Sequence, residues 1–207
     1  MVYPRVTILI PVHNDEQYIS KAIDSAVAQK YQGLLQVFVV DDGSTDDSWK
    51  VVNNLFEEGV EEKVISDLEL KSGKYKGVQL TAVKRPLAGG PSAARNTGIK
   101  LTINHTDIYA MLDSDDEFYP DKVRKCVYLM SSNPQLIGAV YADYDTYDTK
   151  TGKTIREFKE PFLRSFYPNS DRLPWNECWP NGWLTALFKS LWWWVSCGQK
   201  HACQVSR

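Results

Sequence analysis

Ile108–Lys122 reads IYAMLDSDDEFYPDK. A short apolar run stops abruptly at Asp113, Asp115, Asp116 and Glu117. Carboxylates this close repel and raise one another's pKa. A folded chain tolerates such crowding in one of two ways. Either a cation sits among the acids, or the segment is a solvated loop at a helix start, where Asp and Glu ahead of Pro120 suit the helix dipole. An isolated D-x-D favours the loop. Here Ile108–Leu112 reads as a buried strand, and a buried strand that ends on carboxylates is the pattern of an α/β ligand site.

The same pattern recurs upstream. Val6–Pro11 (VTILIP) is a β-branched apolar run with the look of a strand buried on both faces. It is followed by Asn14 and Asp15 as helix-start signals and by Tyr18, Ile19, Ala22, Ile23, Ala26 and Val27 at helical spacing. Gln36–Val40 predicts a second strand, ending on Asp41-Asp42-Gly43-Ser44. Asp46 is placed to cap the next helix, which carries Trp49, Val52, Leu55 and Phe56 on its apolar face. Glu57–Gly77 is polar and glycine-punctuated, and reads as a surface insertion with room for a short strand or helix near Val64-Ile65. Val78–Val83 predicts a third strand, and Gly89–Ser92 a loop into a helix capped by Ser92. After the strand at 108–112, Pro120 opens a helix bearing Val123, Val127 and Met130. Ile137–Tyr144 reads as a fifth strand, and Lys150–Lys153 as a hairpin turn. Strands alternating with helices predict an α/β fold with a mostly parallel sheet and helices on both faces. Ligands of such sheets bind beyond the carboxyl ends of the strands, where residues 13–15, 41–44, 89–96 and 113–116 should converge.

Composition narrows the function. The chain has 207 residues, 43% hydrophobic and 24% charged, with a formal net charge of −2. That excludes nucleic-acid binding through a basic face, but not a small anion met by local donors. The apolar start is too short for a secretory leader core or a membrane span, so a cytoplasmic location is expected, with peripheral membrane contact left open. Cys126, Cys178, Cys197 and Cys203 show no C-x-x-C spacing and read as free thiols. Cys197, His201 and Cys203 fit no common zinc spacing and lack a fourth ligand.

Each cluster has its own chemistry. Asp113 and Asp115 can point the same way on an extended chain, and hard carboxylate oxygens suit Mn²⁺ or Mg²⁺. Asp41 and Asp42 can accept from a base imide or ribose hydroxyls, and the same stretch also suits an Asx-turn with a helix cap. Gly89 and Gly90 let backbone approach a ligand, the helix start offers N–H groups to an anion, and Arg95 can pair with phosphate or with the acids. The first strand is followed by VHND, so the dinucleotide fingerprint G-x-G-x-x-G is absent, as is the phosphate-binding GxxxxGK[ST].

Taken in order, TILIPVHNDEQYISKAIDSAVAQ, VVDDGSTDDSW, GGPSAARNTGI and MLDSDDEFYPDKV resemble family 2 glycosyltransferases of the GT-A fold. The resemblance implies transfer of a sugar from a nucleotide-diphospho-sugar, with UDP the expected nucleotide, to a glycan, lipid or protein acceptor, with inversion and a divalent metal. It implies that Pro11 and Val12 line the base pocket and that Asp41 and Asp42 contact base or ribose. Arg95 and the Gly89–Gly90 backbone would lie near ribose or diphosphate. Asp113 would face the ribose and, with Asp115 and Asp116, the metal. It further implies a nucleotide-sugar-binding half at residues 1–117 and an acceptor-side half at 118–207.

The family's proton acceptor, often an Asp after a Glu, has no counterpart beyond Asp116. Asp171 and Glu177 are the candidates, and neither is assigned. Gly182–Leu191 still resembles the segment ahead of the family's catalytic part; from Trp192 onward the resemblance dissolves, so an incomplete domain is expected. Trp175, Trp179 and Trp183 fall where the family builds its acceptor side. Two other classes remain in play. One is a non-catalytic nucleotide-sugar-binding fragment. The other is a nucleotidyltransferase, which VHNDEQ disfavours because it lacks the glycine- and basic-rich signature of that class.

Overall fold

The computed structural model describes residues 3–157, apart from 133, 136, 141, 143 and 150, together with a strand at Cys203–Ser206. Its centre is β1 (Val6–Val12), buried along its whole length. Parallel β1 neighbours are β2 (Leu35–Asp41) on one side and β6 (Ile108–Met111) on the other. The period of two sorts the side chains between two layers. Ile8, Ile10 and Val12 face α1 (Ile19–Val27), α2 (Ser48–Asn53) and α4 (Lys122–Ser132), together with Val37 and Val39 of β2. Leu9, Phe38 and Val40 face α3 (Pro91–Thr102) through Ala94 and Ile99. Helices therefore cover both faces, as the apolar strands require.

α3 sits close to the sheet because of Gly98. A Cβ there would come within 2.4 Å of Leu9 Cδ1 and 3.3 Å of Val40 Cγ2. Glycine thus lets the helix backbone press onto β1, and the same helix face carries Arg95 inward three residues earlier.

The sheet runs β3-β4-β5-β2-β1-β6. β5 (Val78–Lys84) is parallel to β2, whereas β3 (Glu58–Ile65) and β4 (Leu68–Tyr75) extend the edge antiparallel. Residues 57–77 are therefore two strands of the sheet, not a surface insertion. Every residue of β3 is exposed, so its glutamates never needed an apolar alternation, and charges on an edge discourage pairing with other chains. The turns are legible in the backbone. Lys76 and Gly77 have φ of 49° and 78°, the mark of a type I′ hairpin, and Ser66 has φ of 59° in the β3–β4 turn. Lys76 Nζ and the Tyr75 hydroxyl both reach Asp24 Oδ1 at 2.7 Å, tying the β4–β5 turn to α1.

Several boundaries differ from the sequence reading. α1 begins at Ile19, because Asn14 adopts a positive φ of 57° and Asp15 uses its carbonyl to start the first turn. α3 is capped at Gly90 with Pro91 in its first turn, not at Ser92. The expected strand at 137–144 is displaced to β8 (Tyr144–Asp148), which forms a hairpin with β9 (Lys153–Glu157) around Gly152 at φ 68°. A smaller sheet joins β7 (Glu117–Phe118), β10 (Cys203–Ser206), β8 and β9. No helix among the described residues is long and apolar enough to cross a membrane. Asp171, Glu177, the zinc reading at Cys197 and His201, and the tryptophans from Trp175 to Trp194 lie outside the described residues.

Candidate donor site at the strand ends

Parallel register brings the polar clusters together. Val12 pairs with Asp41, Asp41 with Lys84, and Leu9 with Met111. Residues 13–16 and 43–48 are then knitted side chain to backbone. Asn14 Oδ1 accepts from Thr45 N at 2.8 Å, Glu16 Oε2 from Asp47 N at 2.8 Å, and Ser48 Oγ from Asp15 N at 2.9 Å. Asp46 accepts from Ser48 N at 2.9 Å, two residues on, instead of closing the helix as its Ncap.

The first acidic end is closed on itself. Asp41 is fully buried; its Oδ1 accepts from Ser44 N at 2.8 Å, three residues on, one residue beyond the Asx-turn that the sequence suggested. Its Oδ2 is buried without a hydrogen-bond partner among the described residues. Asp42 is 3% exposed. Its Oδ1 takes the Arg85 guanidinium, and its Oδ2 accepts from Gly89 N at 3.0 Å and Gly90 N at 2.6 Å. The two glycine N–H groups expected to be free for an anion are therefore already committed to a carboxylate. The physical reason is proximity: the loop folds back over the end of β2 before α3 begins.

The second acidic end is more open. Arg95, 8% exposed, reaches Asp113 Oδ1 through its guanidinium. Burial demands such a partner, since a lone buried guanidinium would be costly. Ser114 is buried and donates to Asp15. Asp116 N closes a turn onto Asp113 O at 3.1 Å. Asp115 keeps an exposed face. Partial burial, then the charges of Asp113 and Asp15, push its carboxyl above the usual range, against the pull of its own backbone N–H.

Among the described residues no three His, Cys, Asp or Glu side chains converge into a metal cage, so Asp113, Asp115 and Asp116 do not form a three-ligand set. The donor chemistry nonetheless fits a divalent ion that draws its other ligands from a bound diphosphate. Asp113 and Asp115 raise each other's energy when both are charged, and a cation between them would remove that cost.

Pro11 and Val12 are buried at the end of β1 beside Asp42, whose N–H donates to Val12 O at 2.8 Å. Arg85 also belongs to this floor and was missed by sequence reasoning, whereas His13 fell in the expected 13–15 cluster but was given no role. Arg85 follows β5 directly, and its N–H donates to Asp41 O at 2.8 Å while its side chain holds Asp42. A basic residue one step past a strand, facing an acidic strand end, was the available signal. His13 is exposed; Asn14 Nδ2 approaches its Nε2 at 3.2 Å and its Nδ1 lies 2.9 Å from Asp42 O. The Asn14 amide donates there, so Nδ1 carries the proton toward Asp42.

A mostly parallel sheet with acids gathered at its strand ends is the architecture of GT-A nucleotide-sugar enzymes, and comparison places the chain among them. The model of "Glycosyl transferase family 2" matches residues 7–188, and the chain belongs to that family. It is 34% identical over 133 residues to an uncharacterized glycosyltransferase of Haemophilus influenzae, covering 64% of this chain and 45% of the relative. It is 25% identical over 142 residues to the Escherichia coli UDP-Glc:alpha-D-GlcNAc-diphosphoundecaprenol beta-1,3-glucosyltransferase WfaP, covering 69% and 45%. The chain thus spans less than half the length of these curated relatives. Its fold is shared with the mannosyltransferase PcManGT from Pyrobaculum calidifontis in complex with GDP-Man and Mn²⁺, at a TM-score of 0.50 and 23% identity, covering 63% of this chain and 33% of that one. It is likewise shared with S. aureus TarS 1–349 in complex with UDP, at 0.50 and 18%, covering 69% and 40%.

Proposed function

We propose that the chain carries the nucleotide-sugar site of an inverting, metal-dependent glycosyltransferase. Residues 1–117 form the donor half in this reading, and 118–207 belong to the acceptor side. The observation that carries it is Asp113 and Asp115 at the end of β6, beside the buried Arg95, in a member of this family. Pro11 and Val12 line the base pocket, with Asp41 and Asp42 at its floor. Gly89 and Gly90 let the chain pass close to the ribose. Arg95 fixes Asp113 toward the ribose. Asp113 and Asp115, with Asp116 beside them, would hold Mn²⁺ or Mg²⁺, which when bound supplies positive charge to the leaving diphosphate.

An acceptor hydroxyl attacks the sugar carbon from the face opposite the diphosphate, and a carboxylate takes its proton. Asp171 and Glu177 are the candidates for that carboxylate. WfaP, by its name, acts on a sugar carried by diphosphoundecaprenol, which supports a lipid-linked acceptor.

Thermal unfolding with UDP, GDP, dTDP and ADP, each with and without Mn²⁺, tests the donor site. A ligand selective for the native state raises the midpoint. The expected result is a rise that requires both UDP and the metal and vanishes in Asp115→Ala. A folded protein that responds to no pair would sink the proposal. Transfer or donor hydrolysis lost in Asp115→Ala would place turnover on this chain; binding without turnover would leave it a donor-binding module.

A further inference from the structure

The chain leaving the acidic turn is gripped by the end of α1. Ser25, in the last turn of that helix, donates its hydroxyl to Ala22 O at 2.8 Å and accepts from Phe118 N at 3.0 Å. Gln29, two residues past the helix, is 8% exposed. Its Nε2 donates to Ser25 O at 3.0 Å and to Tyr119 O at 2.9 Å, and its Oε1 accepts from Val123 N at 3.0 Å. Lys30 N donates to Pro120 O at 2.8 Å. Phe118, Tyr119, Pro120 and Val123 are thus all tied by backbone to residues 25–30. Val123 lies in the first turn of α4, where no carbonyl of that helix can reach its N–H, so Gln29 caps α4 from another part of the chain. The other end of α1 is tied in as well. Ser114 donates to Asp15, whose carbonyl starts the first turn of α1. The turn that carries Asp115 and Asp116 therefore hangs between the two ends of one helix, and only Glu117 separates it from the clamped Phe118.

A side-chain amide offers two hydrogens and one oxygen, and here both hydrogens are donated and the oxygen accepts. Glutamate could not donate to Tyr119 O, and asparagine is one methylene shorter. We propose that Gln29, supported by Ser25, is a positioning residue of the donor site: it clamps the chain at 118–123 and so sets Asp115 and Asp116 where a divalent metal needs them, touching neither metal nor nucleotide. This rests on the donor-site reading above and adds a residue to it. The need for a brace is electrostatic. Asp113 and Asp15 both oppose charge on Asp115. Without fixed ends the turn would open to separate these carboxylates, and a cation would have to draw it together again at a cost in affinity.

The test uses the whole chain as wild type, Gln29→Met, Ser25→Ala and Ser25→Thr. UDP is titrated calorimetrically with and without Mn²⁺ below the unfolding range. Amide exchange is followed by NMR at Asp116, whose N–H closes the acidic turn, with Ile8 and Ile10 as reference. The quantity read is the factor by which Mn²⁺ tightens UDP binding, which a general loss of stability does not change in protein that is still folded. We expect Gln29→Met to cut that factor about tenfold, while metal-free affinity moves by less than about twofold. Ser25→Ala should cut it about threefold, the scale of one hydrogen bond, and Ser25→Thr, which keeps the hydroxyl, should restore it. Exchange at Asp116 should accelerate in Gln29→Met while Ile8 and Ile10 stay protected. A folded Gln29→Met protein that keeps the full effect of Mn²⁺ would overturn the proposal. So would equal losses with and without metal, which would make Gln29 a residue of the fold only. If Gln29→Met does not fold, the Ser25 pair decides by the same factor: no loss in Ser25→Ala, or none regained in Ser25→Thr, overturns it. If the wild type binds no UDP, or binds it with no help from Mn²⁺, the donor reading fails. Exchange at Asp116 then still decides whether Gln29 sets the acidic turn, and an unchanged rate says that it does not.

Discussion

At the end of β2, Asp42 is 3% exposed and its carboxylate is fully taken up by one guanidinium and two backbone N–H groups. Beyond β6, Asp115 stands partly open, facing the charges of Asp113 and Asp15 with its carboxyl pushed upward. Both are aspartates past a parallel strand, β2 buried at that end and β6 half-buried at the sheet edge. The first has been turned inward to build the fold; the second is left unneutralised. Acidic clusters alike in sequence thus differ in what supplies the positive charge. For Asp42 the protein does. For Asp113 it does so in part, through Arg95. For Asp115 the proposed metal would do so.

The contrast can be broken most forcefully at Asp42. Asp42→Ala leaves the Arg85 guanidinium and two loop N–H groups without their acceptor. We expect a loss of about 2–4 kcal/mol in urea unfolding, since removing one member of a mostly buried pair strands the other. A loss below about 0.5 kcal/mol, the scale of an ordinary surface change, would mean the closed end is not closed by this carboxylate.

The two ends are joined by α3, whose approach to β1 depends on Gly98. Gly98→Ala places a methyl against Leu9, a fully buried side chain with little room to turn. The expected cost is about 1–3 kcal/mol, followed by denaturant unfolding. UDP affinity in this variant sharpens the comparison: a shifted α3 should disturb the Arg95–Asp113 side more than Asp42, whose partners precede the helix.

The smallest effect has the opposite sign. Asp115 has a folded-state pKa above its unfolded value, so its charged form opposes folding. Stability therefore falls as pH rises from the usual Asp value of 3.8 through the raised one, and the cost persists at neutral pH. Asp115→Asn should raise the ligand-free midpoint at pH 7 by about 1–2 °C. That gain should disappear below pH 3.8, where the carboxyl is neutral in both states. It should also abolish any rise with UDP and Mn²⁺. A ligand-free midpoint that falls at pH 7 would show that Asp115 is stabilising, and the contrast with Asp42 would collapse.

Much of this was legible in the chain itself. The runs 6–11 and 36–40 are largely apolar because β1 and β2 lie inside the sheet with helices over both faces; 108–112 is as apolar but only half-buried in its strand, at the sheet edge. Order and spacing then fixed the family. Sequence offered Arg95 as a partner for phosphate or for the acids without saying which, and it did not offer Arg85 for Asp42. Arg85 and Asp42 are 43 residues apart, and Arg95 and Asp113 are 18 apart. Neither pair leaves a local pattern, since both form only when strands in register bring their ends together. The β3–β4 ribbon escaped for a related reason: its residues are read as strand through pairing with β5, not through apolar alternation. Sequence alone determined which segments are buried and where charge is concentrated, because solvent transfer acts on each residue type wherever it stands. Only the tertiary structure decided which carboxylates are spent on the fold and which are left exposed, because Coulombic and hydrogen-bond partners are set by distance in space.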